Sequence, residues 1–155
     1  MTSKQIALVQ QSFELVKPIA EAAADLFYTR LFEIDPSLRF LFRSDRSEQG
    51  RKLMQALTVV VKGLGRLEQI LPVVEDLGRR HVSYGVRNEH YSTVGSALLW
   101  TLEAGLGPAF TSEVRESWTA AYTLLATAMQ KAAAQVTPIM QAPVMRAGFG
   151  AAQPA

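Results

Sequence analysis

The chain has 155 residues, two of them histidine and none cysteine. His81 has Val74, Leu77 and Tyr84 at offsets of −7, −4 and +3, so on a helix its imidazole lies in an apolar stripe. A neutral imidazole so placed can give one nitrogen to a metal while a carbonyl one turn back holds the other. Spacing alone fits a buried core histidine satisfied by the backbone equally well, and that is the commoner outcome. His90 is nine residues further on, about half a turn out of phase and beyond Gly85. It reads as a loop or helix-start residue. Without cysteine there is no disulfide scaffold, thiolate chemistry or iron–sulfur cluster, and two histidines do not make an ordinary structural zinc site.

Two polar residues sit among apolar ones. Gln49 shares a helical face with Leu53, Ala56 and Leu57, which would aim its amide at whatever the leucines line. On spacing alone the better reading is that it merely begins the helix in solvent. Tyr28 is surrounded by Phe27, Leu31 and Phe32, and its common fate is a core ring with the hydroxyl at the surface. Phe42 reads first as a core aromatic. No Ser-His-Asp order, paired-carboxylate site, phosphate loop or HExxH motif is present. What remains is a cofactor held by one imidazole in a greasy slot. A haem would need such an axial ligand, such a slot and control of the open iron face.

The elements that must position these residues are helical throughout. Ser3 can cap a first helix whose face is Ile6, Val9, Phe13 and Val16. Pro18 suits the first turn of a second, ended by Asp35 and Pro36. A short turn follows to Phe42, and the polar stretch after it reads as a loop. A long helix starts near Gln49 and closes at Gly63 and Gly65. The next runs from about Leu67 to Tyr84, with Pro72 tolerated only in its first turn or at a kink, and stops at Gly85. Tyr91, Val94, Leu98 and Leu102 mark another, and Thr111 caps the last. There is no sustained strand pattern and no repeat, so the expected class is all-α. A globular unit at 1–133 precedes an Ala/Pro/Gln-rich segment at 134–155. That segment reads as a mobile tail or as a docking segment using Ile139, Met140, Val144 and Phe149.

Composition agrees with one soluble domain: 48% hydrophobic, 19% charged, formal net charge +2. No basic run points to nucleic acid. No apolar run approaches the ~20 residues of a membrane span, and no secretory signal opens the chain, so the expected location is the cytoplasm.

Taken in order, several strings resemble the globin family. Phe27 to Phe42 is similar to the second and third helices of bacterial haemoglobins and flavohaemoglobins. Gln49 to Leu57 resembles the distal helix, and Asp76 to Val86 the proximal helix with its exit corner. His90 to Tyr122 resembles the last two helices of neuroglobin and single-domain bacterial globins. The resemblance implies a three-over-three globin fold around haem b. It makes His81 the proximal iron ligand, Tyr28 and Gln49 the distal polar pair, and Leu53 the apolar residue over the iron. Phe42 would stack on the haem edge, and Leu77, Val86, Tyr91, Val94 and Leu125 would line the slot. Lys52, with Arg51 beside it, would meet a propionate. Arg79, Arg80 and Arg87 read as a solvated face.

The implied ligands are dioxygen, carbon monoxide and nitric oxide. A phenol and an amide aimed at the open face would stabilise dioxygen, which gathers negative charge, more than carbon monoxide. Two departures qualify the resemblance. Flavohaemoglobins set a glutamate of the last helix behind the proximal histidine, whereas this chain has no acidic residue after Glu116. Neuroglobin has a second histidine where this chain has Gln49, so a five-coordinate or water-bound resting iron is expected. The residues after the globin-like stretch are expected to be too few to bind flavin or nicotinamide. Oxygen storage, transport or buffering is thus the first expectation. A nitric oxide dioxygenase served by an external reductase is the second, and a sensor acting through the tail the third.

Overall fold

The computed structural model describes residues 1–42 and 45–136. Thr2, not Ser3, opens the first helix. Its hydroxyl accepts the Gln5 N–H at 3.1 Å, and the Gln5 side chain accepts the Thr2 N–H at 2.9 Å. This reciprocal capping box satisfies two otherwise orphaned donors, which one hydroxyl at Ser3 would not.

Six α-helices follow: α1 Ser3–Val16, α2 Ala20–Ile34, α3 Arg46–Gly63, α4 Leu67–Ser83, α5 Asn88–Leu106 and α6 Ser112–Ala134. Short 3₁₀ turns at Lys17–Ile19, Pro36–Leu41, Leu64–Arg66 and Gly107–Ala109 join them. No strand occurs among the described residues, as the periodicity requires. The α6 helix runs to Ala134, one residue past the expected boundary, and residues 137–155, with Ile139, Met140, Val144 and Phe149, lie outside the described residues.

Two local expectations are corrected. The polar stretch before Gln49 is already helical from Arg46, because the Asp45 carboxylate accepts the Glu48 N–H at 3.3 Å and caps the helix there. Gln49 therefore stands a full turn inside α3. Pro72 sits in the second turn of α4, not the first. It is exposed, and the carbonyl it leaves without a partner is that of Glu68, also exposed, so water can satisfy it.

The core forms where the apolar faces meet. The α4 helix packs most extensively on α6, α2 on α5, and α1 on α6. Phe13, Leu31, Trp118 and Ala97 are buried at the centre. Trp118 donates its indole N–H to Ser12 Oγ at 2.8 Å, tying α6 to α1. In these layers α4 comes to face α2 and α3 across a space none of them fills.

Candidate functional site

His81 lies in the last turn of α4. Its Nδ1 is 2.6 Å from the Leu77 carbonyl oxygen. A carbonyl can only accept, so Nδ1 carries the proton and Nε2 keeps its lone pair. Burial, followed by the Arg80 charge, holds the imidazole below its ordinary pKa despite the opposing Leu77 bond, so the ring is neutral. The turn beyond it is locked. Gly85 adopts φ 93°, its N–H reaches Val82 O at 3.0 Å, and the Val86 N–H reaches His81 O at 3.0 Å. This is the Schellman closure, which needs a left-handed residue at Gly85.

His81 borders a cavity of about 210 Å³. Its walls are almost wholly apolar. Leu77, Val86, Tyr91, Val94 and Leu125, all expected there, line it. Tyr28, Phe42 and Leu53 line it too. Phe42 meets the Tyr28 ring edge-on at 5.4 Å and Phe32 at 5.6 Å. These contacts fix the Phe42 ring in the cavity wall. Tyr28 is 2% exposed, and burial raises its pKa, so the phenol stays protonated. Its hydroxyl donates to the Gln49 backbone carbonyl at 3.3 Å, a long and weak bond.

Gln49 itself is 2% exposed, and neither amide atom of its side chain has a hydrogen-bond partner. Burying an amide this way is costly, and such orphans are rare in folded proteins. Gln49 is not among the cavity's lining residues, but the Tyr28 bond places its backbone beside that wall. Lys52 and Arg51 do not line the cavity either. Lys52 pairs with Glu48 at 3.7 Å, and Arg51 borders a separate groove between α2 and α3.

Sequence reasoning missed Tyr122, Ala126 and Met129 as wall residues. Their spacing from Leu125 already put them on or beside its face of α6. His90 was a more instructive miss. It lines the cavity and, as the third residue of α5, accepts the Arg87 N–H on Nδ1 at 3.0 Å. It is thus the helix-start residue expected, but buried at 7% exposure.

Among the described residues no three His, Asp or Glu side chains gather. A metal at His81 would therefore not find a three-residue His, Asp or Glu set among the described residues. A flat apolar macrocycle would supply ligands of its own, and the slot's greasy walls and the lone pair on His81 Nε2 fit such a group. Fold and site together define an all-α protein whose apolar cavity is bordered by one neutral imidazole.

The globin family profile matches residues 25–129, and the chain belongs to the globin family. It is 38% identical over 123 residues to the flavohemoprotein of Bordetella parapertussis, covering 77% of this chain and 31% of that protein. It thus spans about a third of the length of the flavohemoproteins it matches. It is 28% identical over 145 residues to neuroglobin of Danio rerio, covering 84% of this chain and 91% of that one. The fold is similar to that of an engineered carbene transferase, itself a candidate nitric oxide dioxygenase, from Rhodothermus marinus. That similarity has a TM-score of 0.81 at 25% identity, covering 90% of this chain and 98% of the other. No described helix is long and apolar enough to cross a membrane.

Proposed function

We propose that the chain is a haem-binding globin that reversibly binds dioxygen, with residues 1–133 as its working unit. When bound, the haem supplies an iron with one open position for a diatomic gas. The observation that carries this reading is a carbonyl-oriented His81 and a buried Tyr28 phenol on one apolar cavity, with the unpartnered buried amide of Gln49 on the residue that Tyr28 bonds.

His81 would be the protein's ligand to iron, and its Leu77 bond keeps the ring from turning. Phe42, Val86, Val94 and Leu125 would hold the macrocycle and exclude water. Tyr28 holds a proton that its bond to the Gln49 carbonyl secures only weakly, so the hydroxyl can turn to a polar ligand at small cost. Gln49 gains its first partner if its amide donates to the same ligand. Both donors favour dioxygen over carbon monoxide, because dioxygen gathers more negative charge. Haem b, whose macrocycle needs no cysteine attachment, suits a chain without cysteine.

The test is oxygen release from the haem-loaded protein. A hydrogen bond to a charge-bearing ligand contributes about 1.5–3 kcal/mol, so Tyr28→Phe should speed oxygen release roughly 10- to 100-fold. Carbon monoxide release should change much less. Equal effects on both gases would contradict a hydrogen-bonding role.

A second reading, nitric oxide dioxygenase with an external reductase, draws support from the flavohemoprotein relatives and the Rhodothermus structure. Sustained nitrate formation with NADH and cell extract supports it. One turnover ending in ferric protein rejects it.

A further inference from the structure

A glycine one turn before His81 lies against the backbone of another helix. Gly78 is buried where α4 crosses α6. A Cβ built at Gly78 would come within 2.7 Å of the Met129 Cα and 2.8 Å of its carbonyl carbon, and closer still to its carbonyl oxygen. All three are backbone atoms in the interior of α6, so no side-chain rotation could relieve the overlap. Elsewhere the close glycine contacts are to side chains, such as Gly95 against the Tyr122 ring and Gly63 against Ile70.

The covalent connection gives this contact a consequence. The carbonyl that accepts the His81 Nδ1–H belongs to Leu77, and the nitrogen of that same planar peptide is Gly78's. Whatever fixes Gly78 against Met129 therefore fixes the plane that orients the imidazole. Only a residue without Cβ lets that peptide sit so close to the α6 backbone.

We infer that Gly78 is a positioning residue: its missing side chain seats the Leu77–Gly78 peptide on the Met129 backbone and thereby sets where His81 Nε2 points in the cavity. Gly78 touches no cofactor and acts only through the Leu77 carbonyl. Alanine at this site raises helix propensity by about 1 kcal/mol, so a purely local view predicts stabilisation. The seat predicts the opposite, because α4 must lift away from α6 or tilt.

Two readouts separate positioning from packing. In the haem-free chain, the ¹⁵N resonances of His81 report the Nδ1–H bond to Leu77 directly. Gly78→Ala should weaken it, moving Nδ1 toward solvent-like exchange, while Gly65→Ala, with nothing within 4 Å of its added Cβ, should leave it alone. In the haem-loaded ferrous protein, Gly78→Ala should shift the iron–histidine stretching band. That second readout rests on His81 being the iron ligand, and the first does not. An absent band in the wild type would reject the ligand assignment and leave the seat to the nitrogen shifts.

Met129→Ala keeps the backbone atoms of the seat and guards against a Gly78 variant that fails to fold. Met129 also lines the cavity, so this variant is compared in the haem-free chain alone, where it should lower stability yet leave the His81 nitrogen resonances in place. The proposal is overturned if Gly78→Ala changes neither signal while folded, or if Met129→Ala moves the nitrogen resonances. In the latter case the Met129 side chain, not the glycine seat, would be orienting the ring.

Discussion

Gln49 sets two demands against each other. Its amide is buried with no partner, which costs about 1–3 kcal/mol for a neutral polar group. A leucine of similar size would remove that cost. Gln49→Leu should therefore raise the thermal stability of the haem-free chain while speeding oxygen release from the loaded one. Calorimetry and stopped-flow mixing read the two effects separately. A variant that is less stable and unchanged in oxygen release would contradict the proposed role. Spacing put Gln49 on the leucine face but not its burial, because the Asp45 cap that extends α3 by a turn lay in a stretch that looked like a polar loop. For His81 the apolar stripe was legible, and the Leu77 bond followed from helix geometry, since a carbonyl four residues back lies within reach. What spacing could not supply was the space in front of the ring, which depends on α2, α3, α5 and α6 at once.

At the scale of elements, the end of α4 and the start of α5 decide whether His81 is held. Gly85 at φ 93° closes α4 and turns the chain so that Val86 enters the cavity wall. Left-handed backbone costs an L-residue roughly 1–2 kcal/mol. Gly85→Ala should destabilise the chain by about that amount, and Val86 and His81 amides should exchange with solvent faster. An unchanged melting temperature would mean that the corner adopts another closure. The sequence signalled this stop, since glycine after a periodic stretch is the usual helix terminator. It left His90 as a loop or helix-start residue and did not signal its burial. His90 accepts the Arg87 N–H only while its Nδ1 is unprotonated. Burial, then Arg87, lowers its pKa, with Glu89 and Asp35 opposing. The unfolded chain therefore binds protons more readily than the folded one, and stability falls as pH drops below about 6.5. His81 shifts in the same direction, so His90→Gln should reduce the acid slope of chemical denaturation without abolishing it. An identical slope would show that the cap does not feel pH.

For the whole molecule, helix number and order were legible because each apolar face repeats at helical spacing and glycine or proline punctuates the joins. Packing was not legible. The contacts that fix the packing join residues far apart in the chain, such as Trp118 to Ser12 and, at the cavity wall, Tyr122 Oη to Tyr91 O at 2.6 Å. Nothing local encodes them. The central claim is that this fold holds a haem through His81. Its most direct measurement is the absorption spectrum of haem-reconstituted protein, wild type beside His81→Ala, in ferric and ferrous forms with and without carbon monoxide. The account predicts a wild-type spectrum of a single-histidine haem protein whose ferrous form binds carbon monoxide. It also predicts that His81→Ala loses the histidine-ligated signature, with free imidazole restoring it. A colourless wild type that takes up no haem, or a His81→Ala spectrum identical to wild type, would contradict it.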